Sequence, residues 1–267
     1  MPPTVPRPLE PIVREFADIA GHLWNLGWAE ASAGNISAEV TDVIKVPPSR
    51  NRSSRSLTVP MPGLAGRRFL VTATGSRFRD LAAAPEDKVC LVEIAADGGS
   101  IGWNGLAWRS GDIRPTSELS SHLEIYAALT DLGSSSRAIL HTHATHLATL
   151  SHLERCSVAD ELNRLLWSTH PESKIFAPRG VALLPYVLPG SAELGATTAR
   201  AVRGGADTIL WRYHGCIAHA TDPSTAFDRI HVLDKAAKMV LMCMASGEPW
   251  EGLDPAQLAE LFARFGS

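Results

Sequence analysis

The chain is poor in the features that mark secreted, membrane and nucleic-acid-binding proteins. Its 267 residues include four cysteines, Cys90, Cys156, Cys216 and Cys243, widely spaced and without a CxxC pair. That excludes a disulfide framework and fits a reducing compartment, so a cytoplasmic location is expected. No apolar run approaches the ~18 residues of a membrane span. The start, Met1-Pro-Pro-Thr-Val-Pro-Arg-Pro8, has no apolar stretch of the kind a signal peptide needs. Neither sign of charge dominates, with 25 Lys and Arg against 28 Asp and Glu. The densest basic patch, Arg50, Arg52 and Arg55, sits among serines and reads as a solvated loop. No nucleic-acid or membrane partner is expected. GxGxxG, P-loop and HExxH patterns are all missing, which argues against dinucleotide, nucleotide and zincin sites.

What is present is a large apolar fraction, 45% of residues, enough for one sizeable core. Residues 1–8 read as a flexible N-terminal lead-in, and 9–267 as a single domain. Apolar residues at helical spacing predict a helix over about 9–29 ending near Gly27, and others from 115–122 onward, at 144–152, 158–168, 191–203, 223–246 and 254–264. Strands are predicted at 35–40, 68–73, 88–95, 101–109, 138–143, around 174–177 and at 208–211. Residues 41–68, rich in Pro, Ser and Arg, read as a long surface loop with room for short strands. Irregular alternation with hairpin signals argues for an α/β domain whose mainly antiparallel or mixed sheet is covered by helices.

The chemistry centres on His141 and His143. At spacing i, i+2 on a strand both imidazoles leave the same face, which makes half of a transition-metal site. A third ligand is needed. His214, before Gly215 at the end of the 208–211 strand, is favoured over His146, whose odd spacing from His143 would turn it away if the strand continued. Glu118 falls in the first turn of the predicted 115–122 helix, where it complements the helix dipole or serves as an acid or base. Thr116 and Ser117 beside it are caps or anion ligands. The turns Ala33-Gly34-Asn35 and Thr74-Gly75-Ser76 offer hydroxyls, an amide and close backbone approach. Together these segments could cradle a phosphate next to a metal.

These elements, Ala31-Ser-Ala-Gly-Asn-Ile-Ser37, Thr74-Gly75, Pro115-Thr-Ser-Glu118, His141-x-His143 and His214-Gly215, are similar in order and approximate spacing to the class II aldolase/adducin-like family, over about residues 12–265. Pro60-Met-Pro-Gly-Leu64, Leu166-Trp167, Leu183-Leu-Pro-Tyr-Val-Leu-Pro-Gly190 and Trp211-x-x-His-Gly215 resemble one of its sugar-phosphate aldolases. The resemblance implies an α/β fold with a central, mainly antiparallel β-sheet and a fourfold-symmetric homotetramer with active sites at subunit boundaries. It implies Zn²⁺ on His141, His143 and His214, and Glu118 as acid/base. It assigns Gly34, Asn35, Thr74, Gly75, Thr116 and Ser117 to a substrate phosphate, and Glu172 to a second carboxylate that reaches a neighbouring subunit's site. The implied reaction is retro-aldol cleavage of a small sugar phosphate, with zinc stabilising the enediolate. Epimerases, dehydratases and decarboxylases share the family's site, and adducin-like interaction modules share its fold. Ser32 departs from the pattern, standing where the resembling aldolase has asparagine.

Overall fold

Apolar and small residues assemble a nine-stranded sheet among the residues that the computed structural model describes, 5–44, 53–106 and 113–265. The strands are β1 (Asn35–Glu39), β2 (Ser53–Ser56), β3 (Arg68–Thr72), β4 (Val89–Ile94), β5 (Ser100–Gly105), β6 (Ala138–Thr142), β7 (Ala182–Leu184), β8 (Thr208–Trp211) and β9 (Gly215–Ala220). Their spatial order is β2-β5-β4-β3-β1-β6-β9-β8-β7. Every neighbouring pair is antiparallel except β7 with β8. The helices are α1 (Glu10–Asn25), α2 (Phe78–Ala83), α3 (Leu119–Asp131), α4 (Thr145–Leu150), α5 (Ala159–Thr169), α6 (Glu172–Phe176), α7 (Ala192–Arg203), α8 (Pro223–Ser246) and α9 (Pro255–Phe265).

Helices cover both faces. On one, α1, α4, α5 and α8 bury Phe16, Leu23, Leu147, Leu162 and Ile230 with Leu140 of the sheet. On the other, α3 and α7 bury Leu123, Tyr126 and Val202 against Phe69, Val71, Ile139 and Trp211. Each such fully buried side chain contributes roughly 1.5–3 kcal/mol. The alternation in β6 fixes the site: Ile139 faces α3 and Leu140 faces α8, so His141 faces the α3 side.

Four elements depart from the sequence reading. The 115–122 segment starts its helix four residues later than its composition suggests. Pro115 bridges to Ala73 and Thr116 N–H donates to Thr72 O, and Ser117 and Glu118 then turn, so that α3 begins at Leu119 with Glu118 at its N-cap. Residues 174–177 are not a strand: Pro171, at φ −55°, is preset for a helix and α6 follows it. The strand lies further on, as β7. The helix α2 and the strand β9 were not foreseen. Where the domain begins, Arg7–Leu9 form a 3₁₀ turn and Leu9 is wholly buried. Residues 1–4 of the lead-in lie outside the described residues, as do Arg50, Arg52 and the 107–109 end of the predicted 101–109 strand.

Candidate active site

His141 ends β6 and His143 lies just beyond it. Thr142 between them points the other way, its hydroxyl donating to Trp28 O at 2.8 Å. His143 N–H donates to the same carbonyl at 3.0 Å, which holds the strand's end straight. His214 comes from the β8–β9 turn. Tyr213 there sits at φ +64°, a left-handed conformation rare for a bulky residue. The turn is pinned to Ser151, which accepts from Arg212 Nε at 3.1 Å through its carbonyl and from Tyr213 N–H at 3.3 Å through its hydroxyl. Gly215 must be glycine. A Cβ there would lie 2.6 Å from Thr142 O and 2.8 Å from the His143 ring. Its absence lets β9 close on β6 and bring His214 in.

The imidazoles converge. One ligand atom of each of His141, His143 and His214 lies within 4.8 Å of the others. The ring centroids are 4.9–5.3 Å apart. His141 Nδ1 donates to Cys216 O at 2.9 Å, which leaves Nε2 with its lone pair. His143 Nδ1 contacts Glu30 Oε1 at 2.6 Å, so its Nε2 is free as well. Trp211 floors the cluster, stacked on His214 at 5.1 Å and held by an indole N–H bond to Thr198. Burial, helped by neighbouring histidines, pushes His141 down to about 3 and His214 down to about 4. Both rings are therefore neutral at physiological pH, the form that binds metal. His214 Nδ1 is buried without a hydrogen-bond partner. Three imidazole nitrogens converging on one point fit a divalent ion.

Glu118 stands over this cluster, 7% exposed. Its Oε2 lies 3.5 Å from His141 Nε2 and its Oε1 3.8 Å from His214 Nε2. Asn35 Nδ2 donates to Oε2 at 2.8 Å. A cavity of about 180 Å³ opens here, lined by the three histidines, Glu118, Ser32–Asn35, Ala73–Gly75, Thr116 and Ser117. No lysine or arginine is among the described residues that line it. An anion would meet hydroxyls, backbone N–H groups and the metal instead. Thr74 N–H donates to Arg114 O, which ties the Thr74-Gly75 turn to the segment carrying Thr116 and Ser117. Gly34, at φ +81°, has no room for a side chain: a Cβ would lie 3.0 Å from His141 O and 3.4 Å from the Phe78 ring.

With that geometry in view, the comparisons with known proteins are specific. The model of the family described as Class II Aldolase and Adducin N-terminal domain matches residues 14–241. The chain belongs to that family. It is 34% identical to a rhamnulose-1-phosphate aldolase of Bacteroides thetaiotaomicron, over 95% of this chain and 93% of that protein. A rhamnulose-1-phosphate aldolase of Listeria welshimeri is 31% identical, over 86% of this chain and 83% of that one. Among solved structures, a sugar-phosphate aldolase from Thermotoga maritima superposes with a TM-score of 0.77 at 33% identity, covering 91% of this chain and 99% of that one.

Glu172 is the residue taken from the class II aldolase resemblance that does not join the cavity within this chain. It opens α6 with its side chain 55% exposed, 3.3 Å from His170 Nδ1. It lines a separate surface hollow with His170, Asp228, His231 and Lys235. His146 does not join either. Its Nδ1 lies 2.7 Å from Asp234, which also accepts from Leu147 N–H. Asn35, expected at the phosphate, lines the cavity but commits its amide to Glu118. Glu30, Trp211 and the Asn35 contact with His122 were missed. Glu30 directly precedes the Ala31–Ser37 motif and Trp211 opens the Trp211-x-x-His-Gly215 stretch, whereas nothing in the sequence marks His122.

Proposed function

We propose that this protein is a cytoplasmic, zinc-dependent lyase that cleaves L-rhamnulose 1-phosphate to dihydroxyacetone phosphate and L-lactaldehyde. The observation that carries the reading is one cavity lined by three histidines, Glu118 and three polar loop segments, in a chain 34% identical to a rhamnulose-1-phosphate aldolase along nearly its whole length. His141, His143 and His214 would hold Zn²⁺, each at an angle set by the contacts described above. The bound ion would supply Lewis-acid stabilisation of the negative charge that develops on the ketose oxygens as the carbon–carbon bond breaks.

The chain's own residues do the rest. Gly34, Thr74, Gly75, Thr116 and Ser117 bind the phosphate through hydroxyls and backbone N–H groups. Because the phosphate is remote from the broken bond, its binding energy orients the ketose end toward the histidines. Glu118 holds the proton delivered to the carbon that becomes the hydroxymethyl group of dihydroxyacetone phosphate. Asn35 fixes the face that Glu118 presents. Glu172 acts in the site of a neighbouring subunit within a homotetramer, which agrees with its exposure and its distance from the cavity of its own chain. The substrate is tested by comparing kcat/KM for L-rhamnulose 1-phosphate and L-fuculose 1-phosphate. The expected preference is for the first. A preference for the second would move the assignment to another ketose 1-phosphate.

A further inference from the structure

Behind Glu118 lies a line of polar side chains in an otherwise apolar core. Asn35 Oδ1 lies 2.5 Å from His122 Nε2. His122 Nδ1 lies 2.7 Å from Ser37 Oγ, and Ser37 Oγ lies 2.9 Å from Tyr126 OH. His122 and Ser37 are wholly buried, and Tyr126 and Asn35 are 2% and 4% exposed. Two periodicities build the line. Glu118, His122 and Tyr126 fall at i, i+4 and i+8 along the start and one face of α3, while Asn35 and Ser37 fall at i, i+2 on β1. Apolar side chains would fill this layer between helix and sheet at lower cost, so a complete polar chain there calls for a reason.

The donors have one consistent direction. A carboxylate only accepts, so Asn35 turns its NH₂ to Glu118 and its carbonyl oxygen to His122. His122 must then carry its hydrogen on Nε2. Its Nδ1 is an acceptor and takes the Ser37 hydroxyl hydrogen, while Ser37 Oγ in turn accepts from Tyr126 at 2.9 Å, the nearer of that hydroxyl's two acceptors, with Arg137 O at 3.3 Å. Every hydrogen points toward Glu118. An amide does not pass protons on, so the line orients and does not relay. Burial pushes His122 down to about 3, which keeps the single N–H that this arrangement needs.

We propose that His122 is a positioning residue: acting through Asn35, it fixes the orientation of the Glu118 carboxylate for proton transfer at the substrate carbon. This rests on the aldolase reading above. The test follows exchange of the hydroxymethyl proton of dihydroxyacetone phosphate in D₂O, a step independent of which aldehyde the enzyme releases. The wild type is compared with His122→Phe, which keeps the ring, and with His122→Gln, which keeps a donor for Asn35. For His122→Phe the expected maximal exchange rate is about 10–100-fold lower, with KM and zinc content unchanged. His122→Gln is expected to recover most of that loss. Wild-type exchange by His122→Phe, or parallel loss of zinc and rate in both variants, would overturn the proposal. The tautomer offers a second readout that needs no variant. A long-range ¹H–¹⁵N spectrum of the wild type is expected to show His122 protonated on Nε2, and protonation on Nδ1 would overturn the proposal. Absence of exchange by zinc-loaded wild type would contradict the aldolase reading instead, and the tautomer would then judge the His122–Asn35 arrangement alone.

Discussion

Two carboxylates stand out in the sequence, Glu118 and Glu172, and the fold treats them in opposite ways. Glu118 is buried between His141, His214 and Asn35, and a chain of hydrogen bonds backs it. Glu172 lies on the surface at the start of a five-residue helix, with a histidine as its near neighbour. Exposure alone does not separate them by role. Glu30 has a side chain 64% exposed, yet it holds His143 in place at 2.6 Å. What separates them is completeness. Glu118 has all its partners within one chain, whereas Glu172 has a function in the proposed reaction only when a second chain brings a site to it.

The sharpest way to break this comparison is to neutralise each carboxylate. Glu118→Gln is expected to keep the metal and lose about 10²–10⁴-fold in kcat. Full turnover in that variant would remove Glu118 from its role. Glu30→Gln is expected to weaken metal affinity by about 10–100-fold, the usual cost of losing a group that orients a ligand histidine. Metal titration of the stripped protein measures this, and unchanged affinity would show that His143 needs no support. Glu172→Gln is expected to cost less, roughly 10-fold, below the range for direct proton transfer. On the proposed reading its effect falls on the neighbour, so mixed assemblies of Glu118→Gln and Glu172→Gln chains are expected to recover activity. No recovery in proven mixed tetramers would place Glu172 outside the chemistry.

The smallest effect is on stability. His122 and His141 titrate near 6.5 when unfolded and are pushed down to about 3 by burial. Between those values the unfolded chain binds more protons, so the metal-free protein loses stability as pH falls through 6.5 toward 3. At pH 6 each histidine lowers stability by about 0.8 kcal/mol relative to high pH. Thermal unfolding of metal-free protein at pH 7.5 and 6 measures this. His122→Phe should shrink the difference.

The sequence made some of this legible and hid the rest for physical reasons. Period-two spacing in a short apolar run is enough to put His141 and His143 on one face. The small-residue turns at Gly34 and Gly75 announce themselves by composition. The strand after His214 does not, because Gly215–Ala220 is buried on both faces and its residues show no alternation. The helix α2, six residues long, is too short to show a period. Pro115-Thr-Ser-Glu118 has the composition of a helix start, but the bridge from Pro115 to Ala73 delays the helix to Leu119. The Asn35–His122–Ser37–Tyr126 line pairs a helix period with a strand period. It becomes visible only once α3 is known to lie across β1. The position of Glu172 relative to any cavity but its own depends on a second chain, which no local pattern encodes.

The most direct test of the central claim is release of dihydroxyacetone phosphate from L-rhamnulose 1-phosphate by the purified protein, after chelation and again after zinc is restored. The account predicts rapid release, loss on chelation and recovery with zinc. Release that is indifferent to chelation, in protein shown to be metal-free, would contradict it.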